Sequence, residues 1–172
     1  TITGLIAEDY FIRVRDENGC ILEQTVSVGE PQPFIAIPDV FDVLCNGGND
    51  GSIDLAVIGG TIPYSTVWSD GQVTEDAVNL AAGVYIYEIT DDQLCIISDS
   101  IEVTEPSLIQ ISYDLVPVSC IDQTDASIFV TPYGGTVPYS YLWSTGSTDL
   151  NAEELAPATY DITITDDHFC SQ

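Results

Sequence analysis

The sequence predicts an all-β protein, a tandem array of immunoglobulin-like β-sandwich domains with a 75-residue repeat. Three observations predict it. Cys20, Cys95 and Cys170 are spaced by 75, and so are Cys45 and Cys120. Apolar residues alternate in short runs broken by Gly, Pro and Asx turn signals, the pattern of sandwich strands. No segment sustains a 3.6-residue period, so almost no helix is expected.

The repeat comes first, because it sets the boundaries. Sliding the chain by 75 residues aligns Cys45–Cys95 with Cys120–Cys170 without gaps, with 22 identities in 51 positions. A partial third copy precedes them, since Leu5, Tyr10, Asp16, Cys20 and Glu30-Pro31 match Leu80, Tyr85, Asp91, Cys95 and Glu105-Pro106. The expected organisation is the C-terminal part of a repeat over 1–31, a complete repeat over 32–106, and over 107–172 a repeat lacking its last strand. The chain is expected to be a window from a longer array.

Within the complete repeat, Phe34–Ile37 and the stretch to Val43 read as the first strand. Ser52–Ile58 alternates and puts Ile53, Leu55 and Val57 on one face. Gly59-Gly60-Thr61-Ile62-Pro63 is a turn, and Tyr64–Trp68 places Tyr64, Thr66 and Trp68 on a shared face. Val84–Thr90 aligns Tyr85, Tyr87 and Ile89. Asp91–Leu94 is a hairpin turn, and Cys95–Val103 closes the repeat. Trp68 and Trp143 are expected in the cores. Tyr10, Tyr85 and Tyr160 fit either ordinary core tyrosines or the tyrosine corner, in which the hydroxyl bonds back to upstream backbone.

Charge narrows the function. The chain carries 28 acidic residues against Arg13 and Arg15, for a net charge of -26. Nucleic acid and anionic membranes need Lys or Arg to neutralise phosphate, so both are excluded as direct partners. Cations, cationic surfaces and neutral glycans fit better. A hydrophobic fraction of 45% with nine Tyr, five Phe and two Trp argues for a folded chain rather than a disordered acidic one. No apolar run approaches the roughly 18 residues of a membrane span, so direct insertion is not expected.

A 75-residue domain is marginal alone, and disulfides formed in an oxidising compartment are a common remedy. Two pairings are open. Within-repeat bonds, Cys45–Cys95 and Cys120–Cys170, are favoured because each repeat carries one pair, and Cys20 would then pair outside the chain. In immunoglobulin topology, however, Cys45 lies at the lower pole and Cys95 at the upper one. Cys45 would then meet Cys170 of the next domain. Zinc is not expected, since the cysteines are not clustered as ligand pairs and His168 is the sole His.

Acids recur at Glu30/Glu105, Asp91/Asp166 and Asp92/Asp167. Glu30 would end one domain while Asp91 and Asp92 sit at the near pole of the next, which makes these six residues candidate Ca²⁺ ligands at a junction. The other reading is turn chemistry plus solvated acids. Paired carboxylates can also do acid–base work. Recurrence in every copy argues against a single active site, and no nucleophile–His set can be assembled. No catalytic residue is assigned, and the chain is not expected to be an enzyme.

The phrases Cys45-Asn46-Gly47-Gly48-Asn49-Asp50-Gly51-Ser52, Gly59-Gly60-Thr61-Ile62-Pro63-Tyr64 with Trp68-Ser69-Asp70-Gly71, and Leu80-Ala81-Ala82-Gly83-Val84-Tyr85 with Thr90-Asp91 and Cys95 resemble the SprB-type repeat of very large Bacteroidota surface proteins, gliding-motility adhesins among them. The last copy departs from the pattern at Ile121-Asp122-Gln123-Thr124 and at Ala158. The resemblance implies export by the type IX route and display on the outer cell surface as a stalk or filament. It brings no catalytic residue. Three function classes follow: a stalk or adhesin giving reach, stiffness and adhesive presentation, a carbohydrate-binding module array of a secreted protein, and a purely structural filament subunit. The expected partners are neighbouring repeats of the same chain, with self-assembly or surface glycans beyond them.

Overall fold

A computed structural model describes residues 2–172. The described chain is all-β, and no helix among the described residues is long and apolar enough to cross a membrane. Strands β1 (Glu8–Arg15) and β2 (Ile21–Val28) form an antiparallel hairpin. The middle sandwich follows with β3 (Ile35–Phe41), β4 (Gly51–Ile58), β5 (Ser65–Trp68), β6 (Ala77–Leu80), β7 (Gly83–Thr90) and β8 (Ile96–Val103). Its two antiparallel sheets have the orders β3-β4-β6 and β5-β7-β8. The last sandwich contains β9 (Gln110–Val116), β10 (Ala126–Tyr133), β11 (Ser140–Trp143), β12 (Ala152–Leu155) and β13 (Ile162–Thr165), in sheets β9-β10-β12 and β11-β13.

Period-2 alternation builds the middle core. On β4, Ile53 and Leu55 point inward and Asp54 and Ala56 outward. They meet Trp68 of β5, Tyr87 and Ile89 of β7, and Ile101 and Val103 of β8. A separate core in the last sandwich gathers Val130, Trp143, Leu155 and Ile164. The two indoles occupy repeat-equivalent places, and each Nε1–H donates to a carbonyl six residues on, Thr74 for Trp68 and Asp149 for Trp143. Tyr10, Tyr85 and Tyr160 donate their hydroxyls to the carbonyls of Ile6, Ala81 and Ala156, each at 3.0 Å. This is the bond that defines a tyrosine corner.

The Gly-Gly turns have a tertiary reason. A Cβ on Gly59 would lie 2.0 Å from the Pro33 carbonyl oxygen, and one on Gly134 would lie 2.1 Å from that of Leu108. Both glycines have positive φ, +76° and +79°, where a side chain is disfavoured. The backbone that enters each sandwich therefore runs directly against the β4–β5 or β10–β11 turn. Gly135 adds a hydrogen bond from its N–H to the Ser107 carbonyl at 2.7 Å.

Candidate functional site: the junction between sandwiches

Two loops meet where the middle sandwich ends and the last one begins. The first carries Cys45, between β3 and β4. The second carries Cys170, after β13. Their sulfurs are bonded, with the Cα atoms 5.6 Å apart and 125 residues between them in sequence. Cys20, Cys95 and Cys120 are free and exposed.

The favoured within-repeat pairing is therefore corrected: neither Cys45–Cys95 nor Cys120–Cys170 forms, and the cross-domain pairing does. The reason is strand length. Val43 N–H bonds the Thr104 carbonyl, just beyond the end of β8, whereas Cys95 precedes the start of that strand. Eight residues of β8 separate the two cysteines by about 25 Å, and a disulfide tolerates only about 7 Å between Cα atoms.

Recurring acids hold both cysteine loops. Asp50 Oδ1 accepts the Leu44 N–H at 3.2 Å, and Asp125 Oδ1 accepts the Ser119 N–H at 3.0 Å, so each braces the residue before a lower-pole cysteine. At the upper pole, Asp166 Oδ1 accepts the N–H groups of His168 and Cys170, and its Oδ2 accepts that of Thr136. Asp91 does the same with Gln93, Cys95 and Thr61. Asp16, in the hairpin, keeps the bond to the Cys20 N–H at 2.8 Å. Between the poles, Glu105 accepts from the Asn46 amide at 2.9 Å and from the Gly47 N–H at 2.6 Å. The Asn46 amide also donates to the Pro106 carbonyl at 3.1 Å. The Cys45 loop is thus tied to the linker that leads into the next sandwich.

The six candidate Ca²⁺ ligands are not brought together. Asp91 and Asp166 are buried with both carboxylate oxygens bonded to backbone N–H groups. Asp92 and Asp167 are exposed beside them and bond through their N–H groups to Thr61 and Thr136 carbonyls. Glu105 is engaged by Asn46 and Gly47, and Glu30 is exposed at the end of the hairpin segment. Among the described residues, no group of three His, Cys, Asp or Glu side chains is placed to hold a metal ion. Trp68 and Trp143, the broadest aromatic surfaces, are buried and offer no sugar platform.

The Asp clamp also explains two positions that sequence reading passed over. Leu94 and Phe169 have φ of +63° in the hairpin turn, where the first copy has Gly19 at +91°. Two β-carbon-bearing residues thus sit in a left-handed conformation that favours Gly. Bonds from the preceding Asp to the turn's N–H groups hold them there. The alignment of Gly19 with Leu94 and Phe169 was the available signal.

Electrostatics make the clamps sensitive to pH. Burial pushes the Asp91 and Asp166 carboxyls up. The hydrogen bonds from Cys95, Thr61 and Gln93, and from Thr136, Cys170 and His168, outweigh it, so both lie below the ordinary carboxylate value. Asp125 is lowered by its hydrogen bonds from Ser119. As pH falls, the unfolded chain therefore takes up these protons first. The stabilisation is fully present above the ordinary carboxylate pKa of about 4 and is lost as pH drops through the lower folded values. Melting of the oxidised chain in about 0.5 M NaCl, where screening over about 4 Å limits repulsion among surface acids, should give a flat Tm from pH 7 to 5 and a steep fall below 4. Asp166→Asn should make that fall shallower. At pH 7, Asp166→Ala should lower the Tm of the last sandwich by roughly 5–10 °C.

Comparison with known protein families finds a repeat within each sandwich. The model of the SprB repeat matches residues 38–73 and 112–148. Each match starts within the first strand of a sandwich, takes in the lower-pole cysteine loop and the Gly-Gly turn, and ends just after the core Trp. No curated protein matches the chain.

Proposed function

The chain carries SprB repeats, units that occur in cell-surface proteins, and from that premise we propose that it is a non-catalytic stalk segment of a bacterial surface adhesin or filament. Its work is reach, stiffness and adhesive presentation outside the cell, after export by the type IX route. The observation that carries this reading is the Cys45–Cys170 bond, which joins one sandwich to the next rather than closing either on itself. Such bonds persist in oxidising surroundings. The absence of Lys, with Arg limited to Arg13 and Arg15, leaves a surface with few sites for proteases that cut after basic residues. A sugar-binding array is the weaker reading, because both Trp side chains face inward.

The period turns one bond into a pattern. In an array, a bond spanning 125 residues that recurs every 75 overlaps its neighbour by 50. Cys120 is the repeat-equivalent of Cys45, and Cys95 of Cys170, so they are the halves of the following and preceding staples. Tension entering at Cys45 crosses to Cys170 without passing through either core.

Pulling the chain by its ends tests this. When oxidised, unfolding should release no length from the 125-residue span. After reduction, a further extension of about 400 Å should appear. Full extension already available in the oxidised chain would sink the stalk reading.

A further inference from the structure

The Cys45 loop holds an Asn-Gly step with a carboxylate laid across it, and we propose that this step modifies itself: Asn46 loses its amide to attack by the Gly47 nitrogen, with Glu105 as the catalytic base. This inference is independent of the stalk reading.

In an Asn-Gly pair the side-chain amide is readily attacked by the next backbone nitrogen, because Gly has no Cβ to crowd the five-membered ring that forms. The chain has two such pairs, Asn18-Gly19 and Asn46-Gly47. They differ in what the glycine N–H meets. The Gly19 N–H donates to the Asp16 carbonyl at 3.1 Å, an oxygen too weakly basic to take the proton. The Gly47 N–H donates to Glu105 Oε2 at 2.6 Å. Oε1 of the same carboxylate accepts from the Asn46 amide nitrogen at 2.9 Å. One carboxylate thus touches both the nucleophile and the leaving group, within the reach that acid–base catalysis needs. A Cβ on Gly47 would meet nothing within 4 Å, and Asn46 and Gly47 are both exposed. The ring has space to close, and water can open it.

Glu105 Oε2 takes the Gly47 proton as that nitrogen bonds to Asn46 Cγ. The bond from Cγ to the amide nitrogen then breaks, and the carboxyl returns its proton through Oε1 so that ammonia leaves. The product is a succinimide, and Glu105 is again a carboxylate. Water adds to either imide carbonyl and leaves Asp or isoaspartate at this position. The new carboxylate cannot donate to Glu105, nor to the Pro106 carbonyl that the amide bonds at 3.1 Å. It sets a like charge against Glu105 instead. The tie between the Cys45 loop and the linker is therefore undone with age, while the Cys45–Cys170 bond still joins the sandwiches. The last copy has Ile121 in place of Asn46 and lacks the reaction.

Incubating the oxidised chain at neutral pH and mapping its peptides by mass spectrometry tests this. In the folded chain, Asn46 should lose its amide faster than Asn18 does, and faster than Asn46 itself does in urea. Glu105→Gln keeps the side chain's shape but not its basicity. It should slow the loss at Asn46 by about tenfold or more and leave Asn18 unchanged, in a chain shown by circular dichroism to be folded. A Glu105 that only braces the loop gives the opposite sign, since its removal would free Asn46 to react faster. An unchanged or higher rate in Glu105→Gln overturns the proposal. So does an Asn46 that keeps its amide as long in the folded chain as in urea, a comparison that needs no variant.

Discussion

Replacing Cys170 by Ser is expected to reduce the stability of the oxidised chain, for unfolding of both sandwiches together, by about 5 kcal/mol. That figure is the chain-entropy value for opening a loop of 125 residues. The size follows from the bond's reach. A within-repeat bond would close a loop of 50 residues and constrain one sandwich. The observed bond constrains the unfolded states of two. Calorimetry should show a second effect, which is loss of coupling. With the bond intact, the two cores should melt over a narrow common range. In Cys170→Ser, Cys45→Ser or the reduced chain, two transitions should separate. Cys95→Ser and Cys120→Ser remove free, exposed thiols and should leave the melting curve within about 0.5 kcal/mol of the parent. That contrast distinguishes the staple from a general effect of losing cysteine.

Trp68→Ala is expected to destabilise the middle sandwich by about 3–5 kcal/mol, the range for deleting a large aromatic from a packed core. Trp68 is 2% exposed. Its ring meets Tyr87 edge-on, with centroids 5.8 Å apart, and its N–H is satisfied by the Thr74 carbonyl at 3.1 Å. Truncation removes the packing and leaves that carbonyl without its donor. Trp143→Ala should cost the last sandwich a comparable amount, because Trp143 is 3% exposed and its N–H is satisfied by the Asp149 carbonyl at 2.9 Å. Urea titration of both variants checks the size. A loss below about 1 kcal/mol in either would mean that its indole is not packed in the core.

Much of this was legible because the repeat reports each position twice. The alternation of Ile53 and Leu55 with polar neighbours predicts β4, and the shared face of Thr66 and Trp68 predicts the inward side of β5. Strands β6 and β12 gave no such signal. Each is four residues long, buries its first and last residues, and joins its neighbour through an irregular register. A period-2 search cannot find that pattern. Asn79 and Glu154, both with positive φ, mark the irregularity, but neither type is diagnostic in sequence.

The junction was only half legible. Pole assignment left Cys45–Cys170 open as a possibility, while the count of one cysteine pair per repeat favoured the pairing that the length of β8 forbids. The recurring acids were visible as a set, but their chemistry was not. An Asp in a turn looks the same in sequence whether its oxygens meet a cation or, as at Asp91 and Asp166, three backbone N–H groups. Only the fold brings Thr61 and Thr136, thirty residues upstream, to the second oxygen.

Non-reducing peptide mapping of the oxidised chain tests the central claim most directly. The staple predicts one linked pair, the Cys45 peptide with the Cys170 peptide, and free thiols at Cys20, Cys95 and Cys120. Linked Cys45–Cys95 and Cys120–Cys170 peptides would contradict it, because each sandwich would then be closed on itself and tension would have to pass through the cores.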